Sequence, residues 1–204
     1  MLITGILLGV LLGIVGGGSL WNLASVRLRW IAVLLLAVIV RFATEYLLVQ
    51  GNATVELLRL PLFVTSFGLL LAALWVNRTH AGLGLAFVGT LLNTVAILAN
   101  GGHMPIWQPS LIAAGFTPGD VTPFHVLLEP GLTSGFLQNA GPLADILPIP
   151  LPLIRNVASI GDVFLTAGLA FFLFATVVRS PEDEARDERD GQAPALAGLA
   201  ATSR

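Results

Sequence analysis

The chain has 204 residues, 55% of them hydrophobic and 11% charged, with a mean hydropathy of +0.87 and a formal net charge of −2. A soluble domain carries about 25% charged residues, so this chain has too few polar groups for a water-facing globule and reads as a membrane protein. Cysteine and lysine are absent, which excludes disulfides, thiolate metal sites, cysteine nucleophiles and Schiff-base lysines, and the net negative charge argues against nucleic acid as a partner.

Taken in order, the apolar runs predict an all-α membrane protein with five transmembrane helices in one membrane domain, residues 1–178. The first span covers about residues 2–20. Its Gly5, Gly9, Gly13 and Gly17 recur every fourth residue and share one face, where small residues let another helix approach closely. That helix belongs either to the same bundle or to a second copy, so the glycine face is also a candidate seam for a homo-oligomer or a membrane partner. A cleaved signal peptide is disfavoured, because Arg27 and Arg29 follow the apolar run instead of preceding it.

The second span, about 30–49, carries Arg41 and Glu45 at i and i+4, the spacing of an internal ion pair. The third span is about 60–76, with Pro61 tolerated in its first turn. The fourth, about 81–99, places Asn93 and Asn100 on one face and ends at Gly101-Gly102. The fifth, about 156–178, opens with Ser159 and Asp162, and a carboxylate at that depth needs a partner. Asp162 is expected to face inward and contact Arg41 or an asparagine of the fourth span. Residues 179–204, which hold Glu182-Asp183-Glu184 and Arg186-Asp187-Glu188-Arg189-Asp190, read as a disordered cytoplasmic tail. There is no internal repeat of the kind that marks many transporters.

Arginine placement sets the orientation. With the N-terminus outside and the C-terminus inside, Arg27, Arg29, Arg78, Arg179, Arg186 and Arg189 are cytoplasmic, and only Arg59 and Arg155 face out. Trp21, Trp30 and Trp75 gather at the cytoplasmic headgroup level. The compartment is then the bacterial cytoplasmic (inner) membrane, with membrane lipids as the surrounding partners.

Residues 100–155 form a long Pro-rich extracytoplasmic segment between helices 4 and 5, with nine of the 12 prolines. Its charges are few, and apolar runs lie between them. It is therefore expected at the interface or dipping into the bundle, not free in water. Pro109 and Gly115 bracket one short helix. Thr122 as N-cap and Pro123 at the first position predict a second helix running through Glu129, which would turn His125 and Glu129 to one side. His125 with Asp120 or Glu129 is the candidate set for acid–base chemistry. Together with His103 and Asp145 these are also residue types that ligate zinc. No catalytic signature accompanies them, and hydrogen bonds that pin the segment explain the same residues. Nothing in the chain requires a cofactor or a metal.

The phrases Asn100-Gly101-Gly102-His103-Met104-Pro105 and Ser159-Ile160-Gly161-Asp162-Val163, with His125 between them, resemble an uncharacterised bacterial multi-pass membrane family, domain of unknown function 5317. The resemblance covers about residues 1–178. It implies the membrane architecture and points at Asn100, Met104, Pro105, Ser159, Gly161 and Asp162, without supplying a reaction. Arg41, Glu45, Asn100, Ser159 and Asp162 share one level near the outer interface, and with Asn93, His103 and Arg155 they are the candidate pocket residues. The leading expectation is a non-catalytic protein with an outer-face polar pocket for a small or lipid-like ligand or a membrane partner. The alternative is an outer-leaflet enzyme that acts on a lipid-linked substrate, with His125 as base and Arg155 holding an anionic headgroup.

Overall fold

Long runs of Leu, Val, Ala and Ile without interior proline hold their backbone hydrogen bonds within the segment, the arrangement a bilayer demands. The computed structural model describes residues 2–151 and 155–178, so the tail expected at 179–204 lies outside the described residues. The chain is mostly helical. In order come α1 (Leu2–Val15), α2 (Asn22–Ser25), α3 (Ile31–Val49), α4 (Ala53–Leu57), α5 (Arg59–Val76) and α6 (Leu83–Ala99). Then follow β1 (Met104–Trp107), α7 (Gln108–Ala113), β2 (His125–Leu128), α8 (Ser134–Gln138), β3 (Leu147–Ile149), β4 (Asn156–Ala158) and α9 (Ile160–Val178).

Three helices, α3, α5 and α9, are long and apolar enough to cross a membrane, and α1 and α6 are shorter apolar helices. α9 is the central one, packed against both α1 and α6. Gly5, Gly9 and Gly13 lie opposite Thr166, Ala170 and Val177 in turn, so α1 and α9 run parallel. A Cβ on Gly9 would come within 2.3 Å of the Ala170 carbonyl oxygen. The partner of the glycine face is therefore α9 of the same chain, and an oligomer would need a surface other than these three glycines. Gly17 has no neighbour within 4 Å of a built Cβ and takes no part in that face. α6 runs antiparallel to α9, with Gly89 against Gly161 and Leu165 and Gly82 against Gly168 and Phe172. α3 packs on α5.

The segment between α6 and α9 is a folded cap with strands in it, which corrects the purely helical expectation. β1 and β2 pair in parallel, Met104 with His125 through Trp107 with Leu128, and β3 pairs antiparallel with β4. A bridge from Ile106 to Asp145 extends the first pair. The helix expected from Thr122 to Glu129 is the strand β2. The N-capping signal loses because pairing with β1 satisfies more backbone: Met104 N–H donates to Phe124 O, and Thr122 turns its hydroxyl to the His125 ring instead of to a helix N-terminus. α7 does form between Pro109 and Gly115, whose φ of +85° suits glycine.

The cap plugs into the bundle through Met104 and Phe124, which join Leu48, Phe63, Phe67, Ala96 and Ile97 in one buried cluster. Arg59, only 5% exposed, reinforces that joint. It pairs with Glu56 and donates from Nη1 to Pro123 O at 2.8 Å. The same guanidinium, hydrogen-bonded to the Glu56 carboxylate, lowers the pKa of that acid. A second cluster inside the cap contains Ile106, Leu111, Ala114 and Val157.

Candidate functional site

The polar residues at the cap end of the bundle divide into three groups. In the first, α6 and α9 meet through Asn93. Its Nδ2 donates to Asp162 Oδ1 at 2.7 Å, and its Oδ1 accepts from Ser159 Oγ at 2.8 Å. Ser159 and Asp162 also cap α9: Asp162 N–H donates to Ser159 Oγ at 2.8 Å, and Ser159 N–H donates to Asp162 Oδ2 at 3.3 Å. This is the reciprocal N-terminal arrangement in which each side chain satisfies the other's backbone donor. Asp162 thus faces inward and contacts an asparagine of α6, as its depth demanded.

In the second group, Arg41 and Glu45 form the i, i+4 pair on α3, with Nη1 and Oε2 2.5 Å apart. The guanidinium lies over three rings, Phe63, Phe67 and Phe124, at 5.2, 5.5 and 4.6 Å from their centroids. The rings' negative faces compensate the charge that is lost to water. Phe124 in turn stands edge-on to the His125 ring at 5.0 Å.

The third group is His125 and Asp145. His125 Nδ1 and Thr122 Oγ1 lie 2.8 Å apart. Its other nitrogen, Nε2, faces Asp145 Oδ2 at 3.6 Å, beyond hydrogen-bond length. Asp145 is 5% exposed, and its Oδ1 is buried without any hydrogen-bond partner. Burial, with Asp162 adding to it, pushes the Asp145 carboxyl well above the ordinary range. Burial lowers the pKa of His125; Glu45 and Asp162 oppose that shift and Arg41 supports it. The spacing alone would label the two residues an ion pair. Burial disfavours charge on both, and they face each other across a gap instead of as a bonded ion pair. Such a pair can donate and accept hydrogen bonds to a polar group placed between or beside them. It is not arranged as a base held by a carboxylate.

Several sequence candidates lie elsewhere. Asp120 is an exposed capping residue that accepts from Thr117 N–H and Thr117 Oγ1, both at 2.7 Å; those bonds lower its pKa, and it does not orient His125. Glu129 is exposed just past the end of β2. At strand rise it stands about 13 Å along the chain from His125, not one helical turn. Arg155 stacks over Phe116 and donates to Gly115 O at 2.9 Å, near enough to Asp120 to act on its charge. Asn100 ties α6 to the cap by donating to Ala96 O and Asn139 O. The His103 ring sits against Asn100 O at 3.1 Å. Among the described residues no three His, Asp or Glu side chains converge to hold a metal ion.

Asp145, one of the zinc-ligating residue types in the segment, is not marked by sequence as the neighbour of His125. Its one signal in the sequence is a lone acid between the apolar Ala144 and Ile146. The bridge to Ile106 and the β1–β2 pairing bring it to His125, and nothing local encodes that approach.

An uncharacterised protein of Thermotoga maritima is 31% identical over 105 residues, 51% of this chain and 56% of that relative, so the chain spans little more than half of its length. No solved structure matches the chain. The family model for a family of unknown function, DUF5317, matches residues 25–174. The chain therefore belongs to the DUF5317 family.

Proposed function

We propose that this protein is a non-catalytic, five-span protein of the bacterial cytoplasmic membrane whose outer-face polar cluster binds a small polar or lipid-like ligand. The observation that carries the reading is the partnerless, buried oxygen of Asp145 beside the unbridged 3.6 Å gap to His125. A buried carboxyl without hydrogen bonds is costly, and a ligand hydroxyl or amide at that point would satisfy it. His125, at 24% side-chain exposure, and Arg41, at 20%, leave an approach from outside.

Five spans with the N-terminus outside are supported by the parallel run of α1 and α9 and by the antiparallel α6. α1 is 14 residues, about 21 Å, which is short of the roughly 30 Å hydrocarbon core. Its glycine-rich exit continues along α9, where Ser19 N–H donates to Val177 O.

The alternative reading is an outer-leaflet enzyme that works on a lipid-linked substrate by His–carboxylate chemistry, and the proximity of His125 to Asp145 is what favours it. Against it stand the 3.6 Å gap between the two groups, the capping bonds that occupy Asp120 and the strand rise that separates Glu129 from His125.

The test is the unfolding temperature of the purified full chain with bacterial polar-lipid extract, polyols and sugar phosphates. A subset should raise it, and Asp145→Asn should weaken that subset's apparent affinity about tenfold, the effect of one buried hydrogen bond mismatched. No stabilisation by any class, or equal stabilisation of the variant, counts against the reading.

A further inference from the structure

The pole opposite the cap is built differently. Every acid among the described residues lies in the cap, in the α3–α5 connection or in the half of the bundle nearest the cap. This other pole carries Arg27, Arg29 and Arg78 with no Asp or Glu among the described residues. Trp21, Trp30 and Trp75 stand exposed there at 85%, 54% and 52%. Exposed tryptophans at one level are the mark of a membrane–water interface.

Two of the arginines have work that shapes the pole. Asn77, buried at 1%, receives the Arg29 backbone N–H at 2.8 Å and donates back to Arg29 O at 2.7 Å, which staples the segment before α3 to the α5–α6 turn. Arg78 is spent on Trp75, both over its ring and on its carbonyl. Arg27 is exposed and has no carboxylate partner among the described residues.

Beside the staple lie two adjoining cavities that share Val26, Arg27 and Phe172. One, of about 390 Å³, is polar at its mouth, where Arg27, Thr79 and His80 stand together. His80 donates from Nδ1 to Asn77 O at 3.2 Å, which leaves Nε2 as an acceptor for a ligand hydroxyl. The other, of about 460 Å³, is an apolar gutter of Leu23, Leu28, Ile31 and Phe172. Each falls in the size range of small-molecule sites, about 300–1,000 Å³. A cation with hydroxyl and imidazole at one end and an alkane-lined gutter at the other, at headgroup depth, matches an amphiphile with an anionic head.

We propose that this seam between α2–α3, the α5–α6 turn and α9 is a specific site for an anionic phospholipid, with its phosphate on Arg27 and Thr79, a headgroup hydroxyl donating to His80 and an acyl chain along Leu23, Leu28, Ile31 and Phe172. The choice of lipid over other occupants rests on charge complementarity and on the apolar gutter, which a soluble anion would leave empty. The competing occupant is the acidic run Glu182-Asp183-Glu184 that follows α9 in the sequence.

The test is native mass spectrometry of the full chain released from mixed micelles of phosphatidylglycerol and phosphatidylcholine. One phosphatidylglycerol should be retained in preference to phosphatidylcholine. Arg27→Gln should weaken that preference about fivefold, the effect of one basic contact near a membrane surface, and Ile31→Ser should shorten retention. Arg29→Gln removes the same charge at the same pole without touching the cavity and should change nothing. Equal loss in Arg27→Gln and Arg29→Gln would reduce the site to general surface charge and overturn the proposal. So would equal stabilisation by inorganic phosphate, which would make the occupant a free anion. A preference that appears only after Glu182→Gln, Asp183→Asn and Glu184→Gln are combined would assign the cavity to the tail.

Discussion

Asp145 owes its properties to where the backbone leaves it. In the unfolded chain its carboxyl loses a proton near pH 3.9, to within about a unit. In the fold, burial beside Ile106 and the charge of Asp162 keep the proton on to higher pH. Between those two points the folded state holds the extra proton, so this group's contribution to stability falls as pH rises. His125 runs the other way. Its folded pKa lies below its ordinary value, so the unfolded state binds the proton more readily and stability from this group is lost as pH falls below about 6.5. Asp145→Asn removes only the first dependence. The variant should gain stability over the wild type progressively above about pH 4, read as the difference in unfolding temperature across a pH series in detergent. A difference that stays flat with pH would mean that the carboxyl is ionised in the fold. At this scale the legible residues were those whose partners sit on the same helix or at the same depth: Glu45 for Arg41, and Asn93 for Asp162. The His125–Asp145 approach was illegible because the β1–β2 pairing and the Ile106–Asp145 bridge, not local sequence, create it.

Elements were readable where period and composition agreed. The four-residue glycine spacing announced a close helix contact, but the partner's identity is a tertiary fact, fixed by the small Ala170 and by Thr166 on α9. Gly9→Leu should push the two backbones apart and lower stability by about 1–3 kcal/mol or more, as overpacking does. Gly68→Ala, with no atom within 4 Å of its Cβ position, should be neutral or raise stability by up to about 1 kcal/mol. Unfolding by temperature or denaturant in micelles measures both. The cap was the least legible part. Thr122-Pro123 is a sound helix start in isolation, yet β1 offers that stretch a partner for its backbone, and the strand wins. Glu56 and Arg59 pair at i and i+3. The sequence does not disclose that Arg59 also holds the cap at Pro123.

The molecule as a whole has two unlike ends, an acid-bearing cap and an arginine-bearing pole, and the bilayer should distinguish them. The chain contains no cysteine, so single introduced cysteines report on sidedness without background. Asn52→Cys and Leu132→Cys, both exposed at the cap end, should label from outside intact cells with an impermeant maleimide. Thr79→Cys, exposed at the other end, should label only after permeabilisation. One reversed position would remove the five-span arrangement with its N-terminus outside.

α9 lies between α1 and α6, and it is the last helix among the described residues. This placement imposes an order on biosynthesis. A ribosome releases the glycine face of α1 first and the Asn93 amide of α6 later, and both remain without their native partner until residue 178 has been made. Most of the cap is also finished before the helix that anchors its second end exists. The contacts of α1 and of the Asn93 amide therefore close late, when α9 joins two helices that precede it.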